Sequence, residues 1–386
     1  MGLSSSAFRR KEDVEAYVQK PRRWKIQNRE FATPLALSDR FFTESMLSRT
    51  LKVLSGMNWR GLLAVLTALL IVSMSGDMGF CAEPLGVPDV EDIEYPDGEP
   101  PSEAEIHLGK VLFFDKRLSI NDRVSCASCH NPNLGLGDGM ALGIGAMGSR
   151  LRRNTPHLYN LAWNVVFFWD GRTTSLEEQA LQPIQSSDEM NMPLDTLVRK
   201  LKKAPYYIET FQKVYPESEI TPENIAKALA AFERTIISNN SPFDRYMKGD
   251  ESSMSPAAIR GMTLFGGKAS CIACHDGPNF TDNSFHNIGV GGEDAGRANI
   301  TNDPTMVGAF RTAGLRNVLL TAPYMHNGSK KTLEDVIRFY AQGGENKEGI
   351  SALIKPLNLT ESEIADLIAF LGALTDPVVI TRPDVP

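Results

Sequence analysis

Cys126-Ala127-Ser128-Cys129-His130 and Cys271-Ile272-Ala273-Cys274-His275 decide the fold class of this 386-residue chain. In a Cys-x-x-Cys-His stretch two thiols add covalently to the porphyrin vinyl groups and the adjacent histidine ligates the iron, which is the attachment of a c-type haem. Cys-x-x-Cys alone also serves zinc sites and redox dithiols. A zinc site wants four ligands from motifs close in sequence, whereas these motifs start 145 positions apart, each with its own histidine. The reading is two covalently bound haem c groups, a capacity for two electrons on one polypeptide.

Five cysteines are present and four are consumed as thioethers, so no disulfide framework is expected. Haem attachment of this kind needs export to an oxidising compartment, so the expected location is periplasmic and an export signal should precede the motifs. Residues 61–72 form an apolar run behind Arg60, shorter than the roughly 20 apolar residues of a stable span. Cleavage near Ala82 would remove the fifth cysteine, Cys81, and the bulky Phe80 before it disfavours a lipoprotein. An uncleaved membrane anchor over residues 61–75 is the alternative. The polar stretch 1–56 is long for a signal, which makes Met46 or Met57 better start positions. Residues 1–82 hold 12 of the 40 Lys+Arg and 7 of the 47 Asp+Glu, which leaves 83–386 at −12. That charge argues against nucleic acid as a partner and suits either a basic redox partner or plain solubility.

A Pro- and Glu-rich linker runs from Pro84 to Pro101, and the length beyond it suits two domains. The expected boundaries are 1–82 for the extension and export segment, then 83–248 and 249–386 for one haem domain each. The halves read as a divergent duplication. Gly109-x-x-Leu112-Phe113 precedes the first motif and Gly261-x-x-Leu264-Phe265 the second, each ending a helix beside its haem. Thr221-Pro222 predicts a helix start, with Ile225, Leu229, Phe232 and Ile236 on one face. Thr360-x-x-Glu363 is a capping box for a helix presenting Ile364, Leu367, Ile368 and Leu371. The Gly-rich stretches 134–148 and 287–298 predict loops, and no run alternates with period two. The expected architecture is mostly α: two cytochrome c-like domains packed across an inter-haem interface.

Around the motifs lie Arg153-Asn154-Thr155-Pro156, Phe168-Trp169-Asp170-Gly171-Arg172, Leu176-Glu177-Glu178-Gln179-Ala180, Glu189-Met190, Leu315-Arg316-Asn317 and Thr321-Ala322-Pro323-Tyr324-Met325-His326-Asn327-Gly328. This string resembles the bacterial di-haem cytochrome c peroxidases and their MauG-type relatives over roughly residues 103–375. The resemblance implies that the first haem, on His130, is the peroxide site. Resting peroxidases often close that iron with a histidine in the following Gly-rich loop, but the matching position here is Ala146. No histidine occurs between 131 and 156, and Met147 reads as a gap-filler rather than a ligand, so an open iron is expected. Peroxide cleavage needs a proton moved from one oxygen to the other, work suited to a carboxylate. Glu189 matches the family's catalytic glutamate, Gln179 its neighbouring amide, and Trp169 the tryptophan between the haems.

The second haem, on His275, is by the same resemblance the electron-transfer site. Its distal ligand separates the subfamilies: methionine in peroxidases, tyrosine in the MauG type. Leu333, Val336, Ile337 and Tyr340 follow helical spacing i, i+3, i+4, i+7, so Tyr340 shares the apolar face, and it aligns with the axial position. A core tyrosine is the plain alternative, and Met306 and Met325 are rival ligands without helical placement. The family also implies calcium, at the Asn154 side chain and the Thr321 and Pro323 carbonyls, with His326 in the same loop. His107, His157 and His286 read as ordinary polar residues.

Two functions follow. The first is an exported di-haem peroxidase reducing hydrogen peroxide to water, with electrons relayed through the second haem from a cytochrome c or cupredoxin. The alternative is a MauG-type oxidase, in which a high-valent bis-haem state oxidises a protein or organic substrate. Glu189 and Gln179 beside an open iron disfavour a non-catalytic electron carrier. A homodimer is a further implication of the resemblance.

Overall fold

The computed structural model describes residues 83–386. The extension, the export segment with its anchor alternative, the start positions Met46 and Met57, and Cys81 lie outside the described residues. Among the described residues no helix is long and apolar enough to cross a membrane.

Helices dominate: α1 (Glu103–Phe114), the one-turn α2 (Cys126–Cys129), α3 (Leu176–Gln185), α4 (Leu194–Leu201), α5 (Pro205–Val214), α6 (Pro222–Glu233), α7 (Pro242–Met247), α8 (Pro256–Gly266), α9 (Ala298–Thr301), α10 (Leu333–Ala341) and α11 (Glu361–Gly372). Among the described residues, strand is limited to β1 (Phe285–His286) and β2 (Phe310–Arg311), paired antiparallel, in keeping with the lack of period-two alternation. The helix starts obey local chemistry. Thr221 Oγ1 accepts the Asn224 N–H, Pro222 supplies the first helical residue of α6, and Thr360 and Glu363 close a reciprocal capping box on α11. The faces expected on those helices are buried at Ile225, Leu229, Phe232 and Ile236, and at Ile364, Leu367 and Leu371, with Ile368 partly buried.

The suspected duplication has a physical counterpart. In α1, a Cβ on Gly109 would lie 1.7 Å from the Ala228 carbonyl oxygen of α6; in α8, one on Gly261 would lie 2.0 Å from the Asp366 oxygen of α11. Both helix pairs therefore touch backbone to backbone at the glycine of the repeated Gly-x-x-Leu-Phe, where no side chain fits. One turn on, Phe113 meets Phe232 edge-on at 5.2 Å, and Phe265 meets Phe370 edge-on at 5.2 Å.

Each pair centres its own hydrophobic core. The first gathers Leu112, Phe113, Phe211, Leu229 and Phe232; the second gathers Phe243, Phe265, Phe280, Phe370 and Leu374. Arg316 sits fully buried under the second core. Its Nη1 lies 2.8 Å from both Asp244 carboxylate oxygens, its Nε donates to Pro278 O, and its Nη2 donates to Gly86 O. The halves are stitched together as well. Asn160 donates to Ser238 O and Asn279 Oδ1, and the last residues return to the first core through Val378, Ile380 and Val385.

Candidate functional site

Both motif histidines are prepared in the same way. His130 Nδ1 lies 3.1 Å from Leu136 O and His275 Nδ1 lies 3.0 Å from Phe280 O. A ring with its proton on Nδ1 donates to that carbonyl and presents Nε2 as the nitrogen that can ligate. Burial pushes both imidazole pKa values down, which keeps the rings neutral. Leu136 and Phe280 themselves have φ of 59° and 55°. Those left-handed turns, costly for bulky residues, aim the two carbonyls back at the histidines. Nothing in sequence spacing signalled them.

The motif cysteines are unpaired and partly buried, open to covalent attachment. Burial raises the Cys129 thiol to about 11 and raises Cys126 and Cys271 as well. Around His275 opens a cavity of about 620 Å³ lined mainly by apolar groups, with Cys271 and Cys274 in its wall. Leu333, Val336, Ile337 and Tyr340 of α10 form one side of it together, as their spacing predicts. Burial raises the Tyr340 phenol, whose charge would be felt by both attachment sulfurs. Of the methionine rivals, Met325 also lines this cavity and Met306 does not.

Arg311 faces the same space. Its guanidinium donates to the Phe168 carbonyl at 3.4 Å and the Thr312 carbonyl at 3.3 Å, and desolvation, opposed by the Asp282 charge, lowers its pKa to about 10. No carboxylate among the described residues forms an ion pair with it. A cation enclosed this way calls for an anion in the cavity, and the carboxylates of a haem supply one. The volume and lining of the cavity, the His275 ring and an arginine held by no ion pair fit that group.

The first site lies where α3 and the loop behind it approach α2. Gln179, on α3, has its Oε1 buried without a partner. Glu189 sits in a loop tied back to α3 by Met190 N–H to Pro183 O and Met192 N–H to Ile184 O. Burial raises the Glu189 carboxyl, opposed by Ser186 and Arg172, and its charge reaches both Cys126 and Cys129. Ala146 donates to Glu189 O at 2.6 Å, so the loop that lacks a histidine packs directly on the glutamate. Met147 is 59% exposed. The gap-filler expectation fails for this residue, because a side chain in solvent fills no gap.

In the wall of the His275 cavity, Asn154 connects three segments. Its N–H donates to His326 O, its side chain to Met140 O, and its carbonyl accepts from Trp169 Nε1 at 2.8 Å. Arg153 bridges Asp170 at 2.6 Å and Asp294 at 2.7 Å, and Arg297 donates to the Asp170 and Gly171 carbonyls. Asp294 and Arg297 come from the Gly-rich loop, where composition suggested only irregular backbone; their role in clamping the Trp169 turn was not legible. Asn154, Thr321 and Pro323 line the same cavity, and His326 stacks on Phe310 at 3.7 Å.

Two histidines differ from expectation. His157 lines the cavity and bonds Gly314 O, with burial lowering it to about 4, and His286 lies 2.8 Å from Asp282 beside Cys274. Their context is tertiary, built by segments far apart in sequence. His107 is exposed, as expected.

Comparison with known proteins agrees with this geometry. Residues 103–252 match the family model described as di-haem cytochrome c peroxidase. The chain is 44% identical over 302 residues to a methylamine utilization protein MauG of Methylorubrum extorquens, covering 77% of this chain and 85% of that one. It is 34% identical over 289 residues to a cytochrome c551 peroxidase of Pseudomonas aeruginosa, covering 72% and 80%. A crystal structure of a MauG-like protein associated with microbial copper homeostasis superposes with a TM-score of 0.67 at 34% identity, covering 78% of this chain and 95% of that one. The two-domain di-haem fold and an oxidoreductase activity are thereby established, and this chain belongs to the di-haem cytochrome c peroxidase and MauG family.

Proposed function

We propose that this protein is a MauG-type oxidase, which uses hydrogen peroxide at the first site to withdraw electrons from a protein or organic substrate. The observation that carries the reading is Tyr340 in the wall of the His275 cavity, on the helix face fixed by Leu333, Val336 and Ile337. Higher identity to MauG proteins, 44% and 41%, than to the cytochrome c551 peroxidases at 34% supports it. When bound, the two haems supply redox equivalents and a place for peroxide to react.

The chain supplies the rest. His130 and His275 present Nε2 with a fixed ring orientation. Ala146 leaves room on the first site's distal side, where a histidine side chain would compete with peroxide. Glu189 takes a proton from one peroxide oxygen and returns it to the other, so that water leaves. Its raised pKa suits this shuttle, because a carboxyl nearer the working pH both accepts and releases a proton readily. Gln179 offers an acceptor for hydrogen bonds at the same site, and Trp169 lies between the sites as a relay. Asn154, Thr321 and Pro323 offer oxygens for a calcium ion, the periplasm is the compartment that suits the haem attachment, and a small cytochrome or cupredoxin is the donor if the peroxidase cycle runs instead.

The test is peroxide added to the fully oxidised protein. A rapid, long-lived change in both haem spectra is the expected result; reaction only after prior reduction would rule out the open first site and restore the peroxidase reading. Tyr340→Met tests the second ligand independently. Replacing an anionic oxygen by a thioether disfavours the ferric state, so the second haem's potential rises while the first is unmoved. No change in Tyr340→Met, with a change in Met325→Leu, would transfer the ligand to Met325.

A further inference from the structure

Glu233 closes α6 in the first core with 5% exposure, and its Oε2 is enclosed with no donor in reach. Its sequence neighbour does not neutralise it, since Arg234 donates instead to Glu177 Oε1 of α3 at 2.6 Å. Arg234 and Glu177 are the charged groups whose fields reach it, with opposite effects; α1 and α4, also packed on α6, present none to it. On its other side is the first motif. Among the charges acting on Cys126, that of Glu233 is the largest, ahead of Cys129 and Glu189.

A carboxylate with one enclosed oxygen lacking any donor, and with Arg234 committed to Glu177, is costly to charge, and the group binds a proton more readily. Burial accordingly raises it to about 8. The first iron carries one more positive charge when oxidised than when reduced, so oxidation favours the carboxylate and reduction favours the acid. We propose that Glu233 is a proton-binding site coupled to the first haem, taking up one proton from solvent as one electron arrives there and releasing it as the electron leaves. The electron comes from a one-electron donor, a small redox protein in the cell or dithionite in the experiment. One O–H bond forms on reduction, and the net charge of the enclosed region is unchanged. The inference rests on the first motif carrying a haem; it is independent of whether peroxidase or oxidase chemistry follows.

The experiment is spectroelectrochemical titration of the full-length holoprotein across about pH 6 to 9. In the wild type the first haem's potential falls with pH, approaching about 59 mV per tenfold change in proton concentration, the one-electron limit. Glu233→Gln, of equal size, flattens that dependence for the first haem only and keeps both haems attached. A two-haem Glu233→Gln protein with the wild-type slope would overturn the proposal. Should the variant not fold, the wild type decides: its reduced-minus-oxidised infrared difference spectrum gains a protonated-carboxyl band that shifts in heavy water, and its absence overturns the proposal. A wild type with a single covalent haem would defeat the haem assignment as well, and haem content tells these failures apart.

Discussion

Glu189→Gln lowers turnover with hydrogen peroxide by about 10²- to 10⁴-fold, the usual weight of a positioned general acid–base. The amide matches the carboxyl in shape and leaves packing against Ala146 intact, but it can neither take a proton from one peroxide oxygen nor return one to the other. Haem content is expected to stay at two per chain, since Glu189 attaches nothing. In the wild type, Glu189 works from its carboxylate form, and burial has raised its pKa. The rate of peroxide cleavage therefore drops as pH falls through that raised value, and the acid limb of the profile disappears in the variant. Stopped-flow mixing of the oxidised protein with peroxide measures both effects. Wild-type rates in a two-haem Glu189→Gln protein would remove Glu189 from the mechanism.

Arg316→Met destabilises the fold by about 3–5 kcal/mol, the cost of leaving one member of a buried ion pair uncompensated. Asp244 keeps its bonds from Ser241 but loses the guanidinium that lies 2.8 Å from both its oxygens. A loss of that size is a large share of the roughly 5–15 kcal/mol that holds a domain together. The damage also reaches the second haem site. Arg316 holds the Pro278 carbonyl, two residues before the Phe280 carbonyl that orients His275. Thermal denaturation and second-haem occupancy should fall together. Arg316→Met with Asp244→Asn should recover much of the stability, because no unpaired charge remains; equal loss in the single and double variants would refute the ion-pair explanation.

Local chemistry was legible in the sequence wherever one segment sufficed to state it. The caps at Thr221 and Thr360, the apolar stripe ending at Tyr340, and the repeated Gly-x-x-Leu-Phe each encode a contact within a helix or a single close approach. The paired glycines at 109 and 261 gained a meaning that spacing alone withheld, because the carbonyls they admit belong to helices more than 100 positions away. Arg311 and Glu233 were invisible for the opposite reason. An arginine or glutamate in sequence is an ordinary surface residue until folding removes its counter-charge, and that removal is a property of several segments at once. His157 and His286 were underestimated on the same ground. The Gly-rich loop at 287–298 read as connecting backbone, yet its Asp294 and Arg297 fasten the turn that carries Trp169.

The three bonds of Asn154 have a consequence for timing. One residue is held by His326 in the wall of the second cavity, by Met140 in the loop following the first motif, and by the Trp169 indole. Tunnelling between the two irons depends steeply on separation and on how far the intervening atoms must shift. Asn154 joins three segments through one set of hydrogen bonds. On the proposed role of Trp169 as a relay, charge would equilibrate between the sites without waiting for the microsecond-to-millisecond excursions that pace hinged proteins. Under the oxidase function proposed above, the pair would then act towards an outside reductant as a single two-electron reservoir, and a substrate too large for either cavity would be oxidised from the protein's surface.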